Sequence, residues 1–148
     1  MGQTEIVPGL TFSQGVGYAH SAFAQSFAAS GIVAGQSLFD APDWTINSSL
    51  SYARPVGDFT LVGLVRNSYA SSSEDLSYQV NHLPGRDRLD LRVGVETKRW
   101  SAFLFVDNVL NRHNILENID LLTFTGPSYN RVATDQPLTA GVDISFTF

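Results

Sequence analysis

The residues best equipped for chemistry in this sequence are three histidines, one pair of spaced glycines and a short run of carboxylates. His20, His82 and His113 lie far apart, each near the end of an extended segment or in a connection. None has a second imidazole, thiolate or carboxylate at the short intervals typical of zinc sites, so they read as solvated loop histidines. Gly15-Val16-Gly17 is the one GxG. It lacks the third glycine and the following helix that a dinucleotide site requires. Asp107 and Asn108 follow the apolar run 101–109, with no partner spaced for general acid–base work. They read as a strand end that shapes a turn together with Asn111 and Arg112. Arg88, Asp90, Arg92, Glu96 and Lys98 are mixed charges sharing one face of a strand, and a hydrated face accounts for them equally well. No catalytic residue, metal site or cofactor is implied.

The elements that would carry these residues are strands. From 87 to 98, Leu89, Leu91, Val93 and Val95 alternate with the charged set, a two-residue period that separates an apolar face from a wet one. The same period predicts strands over 10–21, 44–53, 59–69 and 139–148, and the run 101–109 is apolar on both faces at its centre. Six strands result, each about long enough to cross a bilayer when tilted. The connections alternate in length: 22–43 is long, Arg54 to Asp58 is a tight turn, 70–86 is long, Lys98-Arg99 is short and 110–138 is longest. Bacterial outer-membrane barrels place short turns on the periplasmic side and long loops outside. The fold class expected is therefore all-β, an antiparallel up-and-down meander of about six transmembrane strands. Tyr18, Trp44 and Tyr69 then fall near the outer strand ends, and Tyr52, Phe59, Trp100 and Phe148 near the inner ends, as two aromatic girdles.

Composition is compatible with that reading. The 148 residues are 43% hydrophobic and 16% charged, with no cysteine and a net charge of −5. No apolar stretch approaches the 18 or so residues of a spanning helix. No basic stripe exists to neutralise phosphates, which argues against nucleic acid as a partner. The first residues carry neither a basic nor an apolar region of a signal peptide, so the chain is expected to be a processed product or a piece of a longer one. The alternative is a small stand-alone β-barrel binding protein, either a minimal membrane barrel or a soluble lipocalin-like one; a soluble sandwich or barrel would also alternate, but with its apolar face inward.

Several segments resemble one family. Ala41 to Asn47, reading APDWTIN, is similar to the segment that opens a strand in the barrels of TonB-dependent receptors. Phe105 to Arg112, reading FVDNVLNR, resembles their penultimate strand, and Thr125 to Arg131 resembles the last loop. The terminal run from Gly141 resembles the signal read by the barrel assembly machinery, carried here by Gly141, Ile144, Phe146 and Phe148. The resemblance covers the chain from about residue 9 onward. It implies the C-terminal barrel segment (1–148, without the plug) of a bacterial outer-membrane receptor for active uptake of a scarce nutrient. A ferric siderophore is the default nutrient, with cobalamin or a glycan as alternatives. Implied partners are outer-membrane lipid, the remaining strands and plug of the receptor, the assembly machinery, and TonB through the plug. Ligand contacts in this family come partly from outer loops, which nominates Tyr78, His82, Arg86, Asn118, Asp120, Tyr129 and Arg131.

Overall fold

The computed structural model describes residues 2–75, 82–121 and 129–147. Seven strands form one antiparallel sheet: β1 (Gly2–Val7), β2 (Leu10–Tyr18), β3 (Trp44–Val56), β4 (Phe59–Ala70), β7 (Arg86–Glu96), β8 (Trp100–Asp107) and β11 (Thr139–Phe146), hydrogen-bonded in that order. β5 (Ser73–Glu74) pairs with β6 (His82–Leu83), and β9 (Ile115–Leu121) with β10 (Tyr129–Thr134), as two small ribbons. The sheet is a meander in which every neighbour is also the next strand along the chain, apart from the two excursions into ribbons. It is not closed, since β1 and β11 form its two edges. Among the described residues, no helix is long and apolar enough to cross a membrane.

Register explains the two faces. Val16 pairs with Ile46, Leu50 with Val65, Val65 with Leu91, Val93 with Leu104, and Leu104 with Val142. Directly paired residues share a face. One apolar surface therefore runs unbroken from β2 to β11. The opposite face carries Thr45, Asn47, Ser49, Arg66, Arg88, Asp90, Arg92, Asp107 and Asp143, joined across strands through pairs such as Ser49 with Arg66 and Arg66 with Asp90. On β7 and β8 the apolar face is the more exposed, and it stays open on β11: Leu104 is 59%, Val142 61% and Phe146 67% accessible, whereas Phe103 on the polar side is 6%. A soluble sheet buries its apolar face; this one leaves it open.

Aromatic rings mark both ends of the exposed face. At the outer end, Tyr18 and Trp44 are cross-strand partners with ring centroids 4.6 Å apart, and Tyr69 joins them one strand further on. Phe59, Trp100 and Phe146 stand at the inner end, with Trp100 directly opposite Phe146. The girdles expected from the sequence are present in Tyr18, Trp44, Tyr69, Phe59 and Trp100; Tyr52 stands opposite Leu10 on the same face, Phe146 is an addition, and Phe148 lies outside the described residues.

Several boundaries differ from the sequence reading. β1 was not expected, because Gln3-Thr4-Glu5-Ile6 has no clean alternation. Pro8-Gly9 turns the chain into β2, and Gly9 takes a φ of 83° that suits glycine. β3 runs through Arg54, Pro55 and Val56, which read as a turn, leaving Gly57-Asp58 as the actual turn with Gly57 at φ 61°. Pro55 is tolerated for a geometric reason. Ala53 donates its N–H to the Gly9 carbonyl at 2.9 Å or less (2.8 Å), so alternate residues of β3 point their amides toward β2. β2 begins only at Leu10, opposite Tyr52, so the missing amide of Pro55 faces no ladder partner. Strands 10–21 and 101–109 end earlier than expected, at Tyr18 and Asp107. β11 is described as far as Phe146.

Candidate functional site

The long connections gather at one end of the sheet, and the last of them is tied down by amides. Asn108 ends β8 with a φ of 52°, a conformation that asparagine tolerates better than most residues. It is fully buried. Its side-chain amide donates to the carbonyls of Arg112 (2.9 Å) and Gln136 (2.8 Å), and its Oδ1 accepts from the Arg112 N–H at 3.1 Å. Its own backbone N–H donates to Asp90 Oδ1 at 2.9 Å. One side chain thus joins the start and the finish of the 108–138 segment to each other, while its backbone is fixed to β7. Asn111, also at positive φ (47°), accepts from the Leu138 N–H at 3.1 Å. The turn-shaping role expected of Asn108, Asn111 and Arg112 is what these bonds perform; Asp107, expected to share it, takes no part in them.

A second knot lies beside it. Asn114 donates to the Asp87 carbonyl (3.0 Å) and to Asp135 Oδ2 (3.2 Å), and Asn67 donates to Asp87 Oδ1 at 2.7 Å. Arg88 reaches Asp90 at 2.8 Å, Asp135 at 3.1 Å and Asp107 at 3.9 Å. It is therefore the cation for three carboxylates, on a partly covered polar face where such hydrogen-bonded pairs exceed the value of exposed ones. Replacing Arg88 by Met is expected to cost about 1–3 kcal/mol, because the Asp135 carboxylate is then left poorly compensated. A urea titration of Arg88→Met beside Arg88→Lys would measure it.

Further down the same polar face, Arg92 pairs with Asp143 at 2.9 Å, and its guanidinium carbon lies 4.0 Å from the centre of the Phe103 ring. Phe103 lies across Gly94, its direct partner, and Phe105 across Gly141. A Cβ on Gly94 would stand 2.6 Å from the Phe103 ring, and one on Gly141 would stand 2.6 Å from the Phe105 ring. The glycines give the rings room to lie flat on the wall, a known way of steadying glycine within a strand. Of the mixed charges, Arg88, Asp90 and Arg92 thus contact neighbouring strands and the outer connection.

The outer-loop residues nominated by sequence fall as follows. Asn118 and Asp120 lie in β9, and Tyr129 and Arg131 in β10; the register sets Asn118 opposite Val132 and Arg131 opposite Ile119. His82, in β6, is exposed, with its Nδ1 3.5 Å from Glu74. Arg86 opens β7 and is half-covered. Tyr78 lies outside the described residues. The two ribbons therefore hold five of the nominees at the same end of the sheet, with Arg86 at their foot. Sequence reasoning did not find the β9–β10 pairing, nor Asn114 and Asp135 as its feet. The Ile115-Leu116-Glu117-Asn118-Ile119 run alternates only weakly, and a pair of residues 21 positions apart leaves no local pattern. His20 and Asp43 close the base of the first long connection at 3.1 Å. Among the described residues, no three His, Cys, Asp or Glu side chains are arranged to hold a metal ion.

An antiparallel meander with an exposed apolar face, aromatic ends and long connections on one side defines a wall of an outer-membrane β-barrel. The comparison with protein families narrows the class. The family described as TonB dependent receptor-like, beta-barrel, matches residues 3–109, more than half of the chain, and the chain belongs to it. Members of that family are transport receptors of the bacterial outer membrane. Neither curated proteins nor solved structures gave a match.

Proposed function

We propose that this chain supplies wall, outer rim and terminal assembly strand to a receptor that takes up a scarce nutrient across the bacterial outer membrane, by default a ferric siderophore. The observation that carries the proposal is the apolar face, continuous in register from β2 to β11 and with Val16, Leu91, Val93, Leu104 and Val142 exposed along it. Hydrocarbon is the solvent such a face matches. The polar face then lines the interior, where the rest of the receptor's barrel and its plug meet it. Residues 1–148 act as the C-terminal segment of that barrel, and no bond of the ligand is made or broken.

Two groups of residues take roles in this reading. The ribbons, with His82, Arg86, Asn118, Asp120, Tyr129 and Arg131, form ligand-contacting rim, and Tyr78 belongs with them by sequence. Gly141, Ile144, Phe146 and Phe148 form the assembly signal. Support for the second role is that β11 is an edge strand, paired only with β8 among the described residues, so its other side offers free backbone groups to an assembly template. Energy for uptake comes from TonB acting on the plug.

Uptake of ⁵⁵Fe delivered as hydroxamate and as catecholate complexes tests the reading. Saturable accumulation that disappears in cells lacking functional TonB is expected. Accumulation of ⁵⁷Co-cobalamin with no iron uptake would move the substrate to another class, and uptake independent of TonB would contradict the receptor assignment.

A further inference from the structure

The three long connections are not held alike. The 19–43 segment is closed at its base by the Ala19–Asp43 backbone bond (2.9 Å) and the exposed His20–Asp43 pair, and beyond that base its described bonds stay within the segment apart from the Asp40–Glu74 contact (2.8 Å). The β5–β6 ribbon is two residue pairs long. The β9–β10 hairpin instead stands on buried amides. Asn108 is fully buried, Asn114 nearly so, and between them they bind Arg112, Gln136, Asp87 and Asp135, on both feet of the hairpin and on β7. Arg88 adds an ion pair from the wall to the second foot.

We propose that Asn108 is a positioning residue: with Asn114 and Arg88 it sets the β9–β10 hairpin at a fixed posture on the outer rim, making this hairpin the preformed side of the ligand mouth. Buried amide bonds to carbonyls are directional, and leaving those carbonyls unpaired is costly. Two feet joined by one side chain cannot shift independently. Asn108 touches no ligand; it acts through the hairpin that carries Asn118, Asp120, Tyr129 and Arg131. The inference concerns posture and stands apart from the nutrient's identity, so a wrong substrate class leaves it intact.

The test is pulsed EPR on the protein folded into outer membranes. The chain has no cysteine of its own. Nitroxides at Glu117→Cys and Val16→Cys report the hairpin against the sheet, and a second pair at Leu104→Cys and Val16→Cys reports the sheet alone. A narrow hairpin distance distribution is expected, broadening at least twofold in Asn108→Gly while the sheet pair is unchanged. Glycine accepts the positive φ without strain, so its effect isolates the lost amide bonds. Asp135→Ala, which removes a different contact at the second foot, is expected to broaden the same distance. Asn108→Asp keeps the acceptor but loses both donors, and is expected to restore only part of the narrow distribution. A hairpin distance already broad in the parent, or unchanged in both Asn108→Gly and Asp135→Ala, would overturn the proposal.

Discussion

Arginine at Val93 or Leu104 is expected to cost about 2–4 kcal/mol in the membrane-inserted protein, the range for a cation near the middle of a lipid-facing strand. The two residues are cross-strand partners at the centre of the apolar face, with Val142 beyond them on β11. Each is more than half exposed, so neither substitution meets a packed neighbour. The cost is therefore that of placing charge in hydrocarbon. Gly15→Arg is the control: Gly15 lies on the polar face of β2, and a Cβ there would touch nothing within 4 Å. Loss of heat-modifiable gel mobility along a urea gradient would read the three variants. If the chain were a soluble binder, arginine at Val93 would be close to neutral, or would improve solubility by breaking an exposed apolar patch.

The second large effect is expected at Gly94. Its Cβ would stand 2.1 Å from the Ala102 carbonyl oxygen, 2.8 Å from the Phe103 Cα and 2.6 Å from the Phe103 ring. Two of these three atoms belong to the backbone of β8, which has β7 on one side and β11 on the other. Relief requires a local break in the ladder, and Gly94→Ala is expected to cost about 3 kcal/mol, the upper end of ordinary overpacking. Gly141→Ala meets only the Phe105 ring, which can rotate aside, and is expected to cost about 1 kcal/mol. Adding Phe103→Ala to Gly94→Ala is expected to leave most of the loss in place, because the backbone clash persists. Full rescue by that double variant would show the ring to be the obstacle. Measured folded fractions after refolding into detergent would decide between the two.

These two expectations show what sequence patterning can and cannot reach. The faces were legible because alternation is a local property: Leu89 to Val95 needs no partner to announce which side is apolar. The connection lengths were legible for a similar reason, since turn chemistry at Lys98-Arg99 and Gly57-Asp58 is written in neighbouring residues. The ring-over-glycine pairs were not, because Gly94 with Phe103 and Gly141 with Phe105 are brought together only by register. β3 was cut short at Arg54 because proline usually ends a central strand, and only the stagger between β2 and β3 frees Pro55 from that rule. The rim was partly legible. Asn108 and Asn111 suggested a turn, but their contacts to Gln136 and Leu138 span nearly thirty positions and leave no trace in the sequence near either end.

The face assignment itself is tested most directly by nitroxide scanning of residues 91–95 in lipid bilayers, comparing collision with oxygen, which concentrates in hydrocarbon, and with a water-soluble nickel chelate. The lipid-facing account predicts a two-residue alternation in which 91, 93 and 95 favour oxygen while 92 and 94 do not. Equal access along the segment, or nickel collision peaking at 91, 93 and 95, would contradict it.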